Sequence, residues 1–259
     1  MTLIVNNLTV RLGGHAVVDS VSFSLADGAR LGIIGESGSG KSMTALAILG
    51  LLPDGAIATG SVTLDGRELL NLPDNDLAKV RGKQIGVVFQ EPRTALNPIR
   101  TLGRQLSEPL RIHDGLSRSD ARTAAIDLAR MVRLSEPERM VKLYPHQVSG
   151  GQRQRVGIGI ALAANPSVLL ADEPTTALDV TIQAEILSLF DRLVKERGTS
   201  MVFITHDLAV LTKVASDVIV LAHGQVVERG STGSILAAPQ HPVTQGLVAA
   251  SVATGWEAR

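Results

Sequence analysis

The chain begins with apolar and polar residues in alternation and continues with short, uninterrupted apolar runs. Alternation extends over Leu3–Val10 and again over Val17–Leu25, with Gly13 and Gly14 between them. A period of two is typical of half-buried strands, and paired glycines favour a tight turn. The start of the chain therefore predicts antiparallel strands.

The later apolar runs alternate with segments of helical spacing. Predicted strands are Arg30–Ile34, Ser61–Leu64, Ile85–Phe89, Val168–Ala171 and Met201–Thr205, with a hairpin of Val218–Leu221 and Gln225–Glu228. Predicted helices are Ser42–Leu52, Arg153–Ala164 and Thr181–Lys195. Strands that alternate with helices favour an α/β fold with a largely parallel sheet.

A segment with a different residue composition and spacing interrupts this alternation. Between about residues 91 and 147, Leu102–Ile112, Arg118–Val132 and Glu136–Leu143 carry Ala, Leu, Arg and Glu at helical spacing. We therefore expect a helical insertion in the α/β core.

Composition narrows the function classes. The 259 residues contain 25 acidic and 25 basic residues, so no bulk field attracts nucleic acid, and we expect no nucleic-acid partner. The absence of cysteine excludes disulfides and thiolate metal sites. We find no signal peptide and no apolar run of about 18 residues, so at a membrane another chain is expected to do the spanning.

A glycine-rich segment stands between a predicted strand and a predicted helix. It reads Gly35-Glu36-Ser37-Gly38-Ser39-Gly40-Lys41-Ser42 and fits G-x-x-x-x-G-K-[ST] at every fixed position. Glycines let backbone N–H groups surround phosphates, the lysine supplies a cation, and the serine hydroxyl suits Mg²⁺. A chance glycine–serine turn would not explain this context, so the segment predicts a nucleoside triphosphate site.

Two carboxylates follow the buried strand Val168–Ala171. Asp172 is expected to hold Mg²⁺, and Glu173 to polarise the attacking water as a general base. Alone, the pair fits equally well as surface residues of a turn before Pro174. A phosphate-binding segment in the same chain favours the catalytic interpretation.

The run Val148-Ser149-Gly150-Gly151-Gln152 precedes an arginine-rich helix. A glycine-exposed helix N-terminus with a serine hydroxyl can bind phosphate, although Ser149 also suits a simple N-cap. The run resembles the signature motif of ABC ATPases, usually written LSGGQ, with Val in place of Leu. Its position upstream of Asp172 matches the order of motifs in that family.

Three further elements resemble those of ABC ATPases in the same order. Gln90 resembles the Q-loop glutamine, Ala177-Leu178-Asp179 the D-loop, and His206 the switch histidine. The resemblance covers essentially the whole chain. It implies a P-loop NTPase (RecA-like) core with an N-terminal antiparallel β-subdomain and an inserted α-helical subdomain.

The resemblance also implies domain limits and partners. The single domain 1–259 would have its core and β-subdomain in residues 1–90 and 153–259, and its helical subdomain in about 91–152. Two ATPase domains, identical or homologous, would pair head to tail, with two transmembrane permease subunits and, indirectly, an extracytoplasmic binding protein. The chain would lie at the cytoplasmic face of the inner or plasma membrane.

Roles follow for individual residues from the same resemblance. ATP and Mg²⁺ are the implied ligands: Ser42, Gln90 and Asp172 would serve the metal, and Glu173, His206 and Gln90 the hydrolysis. Ser149, Gly151 and Gln152 would contact the partner's nucleotide, and Asp179 is also expected to bind nucleotide. The family normally stacks an aromatic residue on adenine, but that place holds Leu12 here, and Val17 could pack the base instead.

Four places resemble the dipeptide, oligopeptide and nickel importer branch. They are Phe89-Gln-Glu-Pro-Arg-Thr-Ala-Leu-Asn-Pro98, Tyr144-Pro-His146, Asp172–Val180 and His241-Pro-Val-Thr244. The chain ends soon after Thr244 without a cysteine, which resembles nickel-type subunits more and implies no iron–sulfur element. Import of peptides or of nickel and metal chelates is therefore expected.

Two other functions compete with transport. A soluble ABC ATPase acting on DNA or ribosomes typically needs a long coiled coil or two fused ATPase domains, and neither fits in this length. A P-loop kinase disagrees with the signature run and with His206.

Overall fold

The structure is a computed structural model that describes residues 2–90, 96–176 and 178–253. The strands are β1 (Leu3–Leu12), β2 (His15–Leu25), β3 (Arg30–Ile34), β4 (Ile57–Leu64), β5 (Arg67–Glu68), β6 (Ile85–Val88), β7 (Val168–Asp172), β8 (Ser200–Thr205), β9 (Asp217–Ala222) and β10 (Gln225–Ser231). The helices are α1 (Lys41–Leu49), α2 (Asp74–Val80), α3 (Leu102–His113), α4 (Arg118–Met131), α5 (Pro137–Met140), α6 (Gly150–Leu162), α7 (Val180–Arg197), α8 (Leu208–Leu211), α9 (Thr232–Ala237) and α10 (Pro242–Ala253). They form two compact units, Met1–Leu77 with Ser200–Arg259 and Ala78–Thr199.

The first unit contains the antiparallel sheet predicted from the alternating start of the chain. Its strand order is β2-β1-β4-β5, and β1 pairs antiparallel with both β2 and β4. Leu3, Val5, Leu8 and Val10 are all buried. The period of two therefore assigned the buried face of β1 correctly.

The same unit holds strands of a second sheet in the order β10-β9-β3-β8. Strand β3 runs parallel to β8 and β9, whereas β9 and β10 form the predicted antiparallel hairpin. Gly32 lies in the middle of β3, where a Cβ would come within 2.4 Å of the Leu211 side chain. The missing side chain lets α8 pack closely on this strand.

Helix α1 is shorter than the sequence predicted. It ends at Leu49 rather than Leu52, because Gly50 adopts a left-handed conformation with φ 63° and its N–H bonds to the carbonyls of Ala47 and Leu46. A Cβ on Gly50 would lie 2.3 Å from Leu77. The glycine thus both terminates the helix and leaves room for a neighbouring side chain.

The second unit combines a parallel strand pair with the predicted helical segment. Strand β6 pairs in parallel with β7, and every residue of β7 is buried. Helices α3, α4 and α5 confirm the helical prediction between about residues 91 and 147, although α5 is confined to Pro137–Met140. The subdomain limits expected at about 91 and 152 stay a prediction.

Several short helices were not predicted from the sequence. Helix α2 spans seven residues with Asp74 and Asp76 in its first turn, and α8 spans four. Helices of one or two turns show too few periods of an apolar stripe to stand out from a loop. In the described part of the chain, no helix has both the length and the apolar character required to traverse a bilayer.

Candidate functional site

The phosphate loop, defined as Gly35–Gly40, connects β3 to α1 and has the backbone that its glycines allow. Gly38 and Gly40 have φ values of 79° and 100°, in the region that favours glycine. A Cβ on Gly35 would lie 2.2 Å from the Leu221 carbonyl oxygen, and one on Gly40 would lie 2.6 Å from the Val17 carbonyl oxygen. Close backbone approach therefore requires glycine at both ends of the loop.

Lys41, the first residue of α1, is the central cation of this loop. Its ammonium is buried and donates hydrogen bonds of 2.8 Å to the carbonyl oxygens of Gly35 and Glu36. Two acceptors from the loop itself offset part of the cost of burying the charge. The side chain thus bends back over the loop that precedes it.

The remaining loop residues divide into exposed and buried groups. Glu36, Ser37 and Gly38 are exposed, as is Ser42 in the first turn of α1, whereas Ser39 is buried. The Ser42 hydroxyl is therefore open to a ligand that approaches the start of the helix.

The turn between β9 and β10 supports the phosphate loop, which the sequence did not reveal. The Gly224 N–H donates to the Ser39 carbonyl at 3.1 Å, and His223 lies with Ser39 around a small pocket. A Gly-containing hairpin turn was predicted here, but nothing in its sequence indicated contact with a loop so distant in the chain. This hydrogen bond holds the phosphate loop at Ser39.

The two candidates for the base contact differ in their relation to the phosphate loop. Val17 is half-buried, and its carbonyl oxygen faces Gly40. Leu12 is half-buried at the end of β1, where it pairs with His15 across the hairpin. The structure brings Val17 to the loop and leaves Leu12 at the edge of the sheet.

His206 follows β8 directly and is exposed. Strand β8 is parallel to β3, with Thr205 opposite Ile34, so His206 and Gly35 leave neighbouring strands at the same edge. Asp207 caps α8, because its carboxylate accepts from the N–H groups of Ala209 and Val210. The first unit thus gathers the phosphate loop, Lys41, Ser42 and His206 at one sheet edge.

The acidic pair lies at the C-terminal end of β7 in the second unit. Asp172 is the buried last residue of β7, and Glu173 follows it with a left-handed φ of 45°. Gln90 Nε2 donates to Glu173 Oε2 at 3.2 Å. Thr176 Oγ1 donates to the same oxygen at 3.0 Å. The structure therefore brings Gln90 and Glu173 together and adds Thr176, which the sequence did not single out.

The signature run forms a complete N-terminal cap for α6. Ser149 Oγ accepts from the Gln152 N–H at 3.2 Å, while Gln152 Oε1 accepts from the Ser149 N–H at 2.9 Å. This reciprocal pair is a capping box. The structural alternative for Ser149 is thus realised in this structure, and a nucleotide contact stays a prediction.

Asp179 caps the next helix and lies in the same region of the second unit. Its Oδ1 accepts from the Ile182 N–H at 2.9 Å at the start of α7. A Cβ on Gly151 would lie 2.8 Å from Ile182 Cγ2, so α6 and α7 approach closely where the glycine stands. Ala177 of the D-loop and residues 91–95 of the importer-like run lie outside the described residues.

The His241–Thr244 run forms the start of α10. Glu228 of β10 accepts from the N–H groups of Gln240 and His241, each at 2.9 Å, and His241 Nδ1 accepts from the Val243 N–H. These contacts anchor the helix to the hairpin strand. They explain the run structurally without reference to a ligand.

Comparisons with known proteins agree with this geometry. The family model described as "ABC transporter" matches residues 18–176. The oligopeptide transport ATP-binding protein AppD of Bacillus subtilis is 47% identical over 89% of this chain and 71% of its own length. OppD of Escherichia coli K12 is 44% identical over 91% of this chain and 70% of its own length.

A longer relative and a solved structure extend the comparison. The glutathione import ATP-binding protein GsiA of Escherichia coli O1:K1 is 47% identical over 91% of this chain. The match covers 39% of the length of GsiA. The ATP-binding cassette MJ0796, dimeric and bound to ADP and Pi, has a TM-score of 0.78 and 33% identity over 89% of this chain and 98% of its own. These likenesses confirm the predicted fold class.

Proposed function

This chain belongs to the ABC transporter family as one of its ATP-binding, ATP-hydrolysing subunits, and on this premise we propose that it powers the import of peptides through separate permease subunits. The names of AppD and OppD support a peptide cargo, and glutathione, named for GsiA, is itself a short peptide. These relatives lend no support to nickel. A soluble role on DNA or ribosomes is not favoured by them.

The phosphate loop and Lys41 would bind the triphosphate. Backbone N–H groups of the loop would face the phosphates, and the Lys41 ammonium would exchange its two carbonyl acceptors for β- and γ-phosphate oxygens. Val17 would pack beside the base, since its backbone already contacts Gly40. Leu12 would contribute only apolar contact.

The residues assigned to Mg²⁺ fit that ion chemically. Ser42, Gln90 and Asp172 offer hydroxyl, amide and carboxylate oxygens, and Mg²⁺ prefers oxygen ligands while relying on substrate phosphates for the rest of its shell. The ion would neutralise charge on the β- and γ-phosphates. The exposed Ser42 hydroxyl supports this assignment within the first unit.

The observation that carries the hydrolytic proposal is the shared hydrogen bonding of Glu173. Gln90 and Thr176 both donate to Oε2 and orient the carboxylate, which would accept a proton from the attacking water. As that water attacks the γ-phosphorus, the bond to the β–γ bridging oxygen breaks and ADP departs with phosphate. His206 would contact the γ-phosphate from the edge of β8.

A second ATPase domain would complete each site. We propose head-to-tail pairing, in which Ser149, Gly151 and Gln152 contact the nucleotide held by the partner's phosphate loop, with Asp179 at the same interface. The dimeric form of the MJ0796 cassette supports such pairing. Two permease subunits and an extracytoplasmic binding protein would complete the importer, with this chain at the cytoplasmic face of the membrane.

A pull-down from detergent-solubilised membranes tests this function. Tagged Glu173→Gln protein, incubated with ATP and Mg²⁺, is expected to retain two permease subunits and an ATPase partner. The matched Lys41→Ala variant, which lacks the phosphate cation, should recover less of the ATPase partner. Recovery of only soluble or nucleic-acid-bound proteins would contradict import while leaving ATP hydrolysis in place.

A further inference from the structure

A concave surface between α3 and α4 in the second unit gathers five cationic side chains. This arginine cleft has a volume of about 350 Å³. Its charged lining consists of Arg104, Arg111, Arg118, Arg122 and Lys142. All its lining residues belong to the described part of the chain, and none of them is a carboxylate. The charge stands out because the chain as a whole is neutral.

The spacing of these residues along the two helices places their side chains on the helix faces that line the cleft. Arg104, Ser107 and Arg111 are three and four residues apart on α3, and Arg118 and Arg122 are four apart on α4. Residues at these intervals share one helix face. Small buried residues at Ala121 and Ala125 form part of the lining, so the floor of the cleft stays open.

The carboxylates on and next to these two helices are engaged elsewhere. Glu108 of α3 pairs with Arg100, Asp114 just after α3 pairs with Lys83, and Asp127 of α4 pairs with Arg130. Asp120 accepts from the Ser117 hydroxyl at 2.7 Å. Among the described residues, none of the five cleft cations forms an ion pair.

Other arginines of the same unit do have acidic partners. Arg130 pairs with Asp127, Arg139 with Glu136, and Arg155 with Glu185. Several basic side chains of this unit are therefore compensated by the protein itself. Five of the basic side chains without an acidic partner among the described residues line the arginine cleft.

We propose that the arginine cleft binds a small soluble anion that carries two or more phosphate groups. Guanidinium groups donate paired hydrogen bonds that match phosphate oxygens, and five cations exceed what one phosphate can contact. A concave site with a floor of small residues suits a compact ligand better than a flat lipid surface. This inference does not depend on the proposed cargo or on the ATP site.

The probe is inorganic tripolyphosphate, measured by calorimetry on full-length protein. Because the phosphate loop is itself proposed to bind a triphosphate, the parent for the titration is the Lys41→Ala variant. Binding of one tripolyphosphate is expected there, and it should weaken roughly tenfold or more in the added triple variant Arg104→Gln/Arg111→Gln/Arg122→Gln. A matched triple at Arg67, Arg139 and Arg229, which removes the same charge outside the cleft, should leave the affinity within about twofold.

Three outcomes of the titration would overturn the proposal. Tripolyphosphate could fail to bind the Lys41→Ala protein, or it could bind the two triple variants with equal affinity. It could also bind with a number of ions per chain that depends only on the net charge of each variant. Vesicles of phosphatidylglycerol provide the second arm. Sedimentation of the protein with them that depends on the three cleft arginines, without tripolyphosphate binding, would assign the site to lipid and contradict a soluble ligand. Because all three arginines are exposed, unfolding midpoints are expected to match among the variants.

Discussion

Gln90 and Glu173 follow two paired parallel strands and are joined by a hydrogen bond of 3.2 Å from Nε2 to Oε2. Thr176 donates to the same carboxylate oxygen at 3.0 Å. Because one oxygen accepts two hydrogen bonds, the carboxylate has a defined orientation. Predictions about catalysis follow from this orientation of Glu173 beside Gln90 and Thr176.

Replacing Glu173 with Gln should abolish turnover without abolishing ATP binding. The amide keeps the size of the side chain but cannot accept a proton from water, so the rate of ATP hydrolysis is expected to fall by about 10²–10⁴-fold. Steady-state phosphate release and equilibrium ATP binding measure the two properties separately. Glu196→Gln on the surface of α7 serves as a control that should hydrolyse ATP normally. Turnover of Glu173→Gln within about threefold of the parent would mean that another group is the base.

Thr176 is expected to act as a positioning residue for Glu173. Thr176→Val removes the hydroxyl while preserving the shape of the side chain, so kcat should fall roughly tenfold, as for loss of one hydrogen bond to a charged group, with KM little changed. Thr176→Ser retains the donor and should restore most of kcat. If the serine variant is as impaired as the valine variant, the role of Thr176 is packing rather than hydrogen bonding.

Gly151 should be sensitive to a side chain because of Ile182. Gly151→Ala places a Cβ 2.8 Å from Ile182 Cγ2. Its unfolding free energy is expected to be about 1 kcal/mol smaller than that of a Gly→Ala variant whose new Cβ meets no neighbouring atom. Gly157→Ala in the middle of α6 is that reference, since a Cβ there meets nothing within 4 Å. Urea unfolding of both variants measures the difference.

An Ile182→Ala background completes the test of this contact. There, Gly151→Ala should recover most of the lost stability, giving a coupling free energy of about 1 kcal/mol in the double-mutant cycle. Additive effects of the two changes would show that Ile182 is not the obstacle.

Glu68 should make a pH-dependent contribution to the stability of the first unit. Burial alone would raise its pKa, but the Ser61 hydroxyl and the N–H groups of Val62, Leu70 and Leu69 donate to the carboxylate and hold the pKa below its ordinary value of 4.5. A folded-state pKa below the unfolded one gives stability that is present above pH 4.5 and lost as the pH falls through the folded value.

Glu68→Gln should therefore be less stable than the parent near neutral pH and converge with it in acid. Because the side chain is exposed, the difference is expected to be about 1 kcal/mol or less. Urea unfolding at several pH values gives the two stability curves. A constant gap between them at every pH would show that the hydrogen bonds do not depend on ionisation.

An aromatic residue at position 12 should strengthen nucleotide binding if the base lies at the end of β1. Leu12→Tyr is expected to tighten ATP binding by about two- to tenfold through stacking. Ile57→Tyr, on an exposed position of β4, controls for a general effect of added aromatic surface. Competition with GTP measures base selectivity, and an unchanged ATP affinity would place the base elsewhere, with Val17 as the next contact to test.

Sequence patterns predicted the elements that carry the site because those patterns are locally determined. A buried strand followed by Asp172 and Glu173, and a glycine-rich turn followed by Lys41, need no knowledge of distant residues. Alternation in β1 identified its buried face for the same reason. The helical segment was predicted from composition and spacing alone.

The features that were missed depend on contacts between distant residues or on very short elements. Nothing in the pair Thr175-Thr176 indicates which hydroxyl reaches Glu173, and the contact from Gly224 to Ser39 joins residues far apart in the chain. The arginines of α3 and α4 fit an ordinary solvated helix face until both helices are seen to share one cleft. Gly50 ended α1 early because its left-handed conformation overrode an apolar pattern that continued to Leu52.

The Lys41 ammonium has two oxygen acceptors within its own loop, the carbonyls of Gly35 and Glu36. Departure of a product therefore need not leave an unsolvated ammonium behind, since the lysine can return to the carbonyls of its own loop. Product release from this loop is therefore not opposed by the cost of leaving a buried charge unpaired.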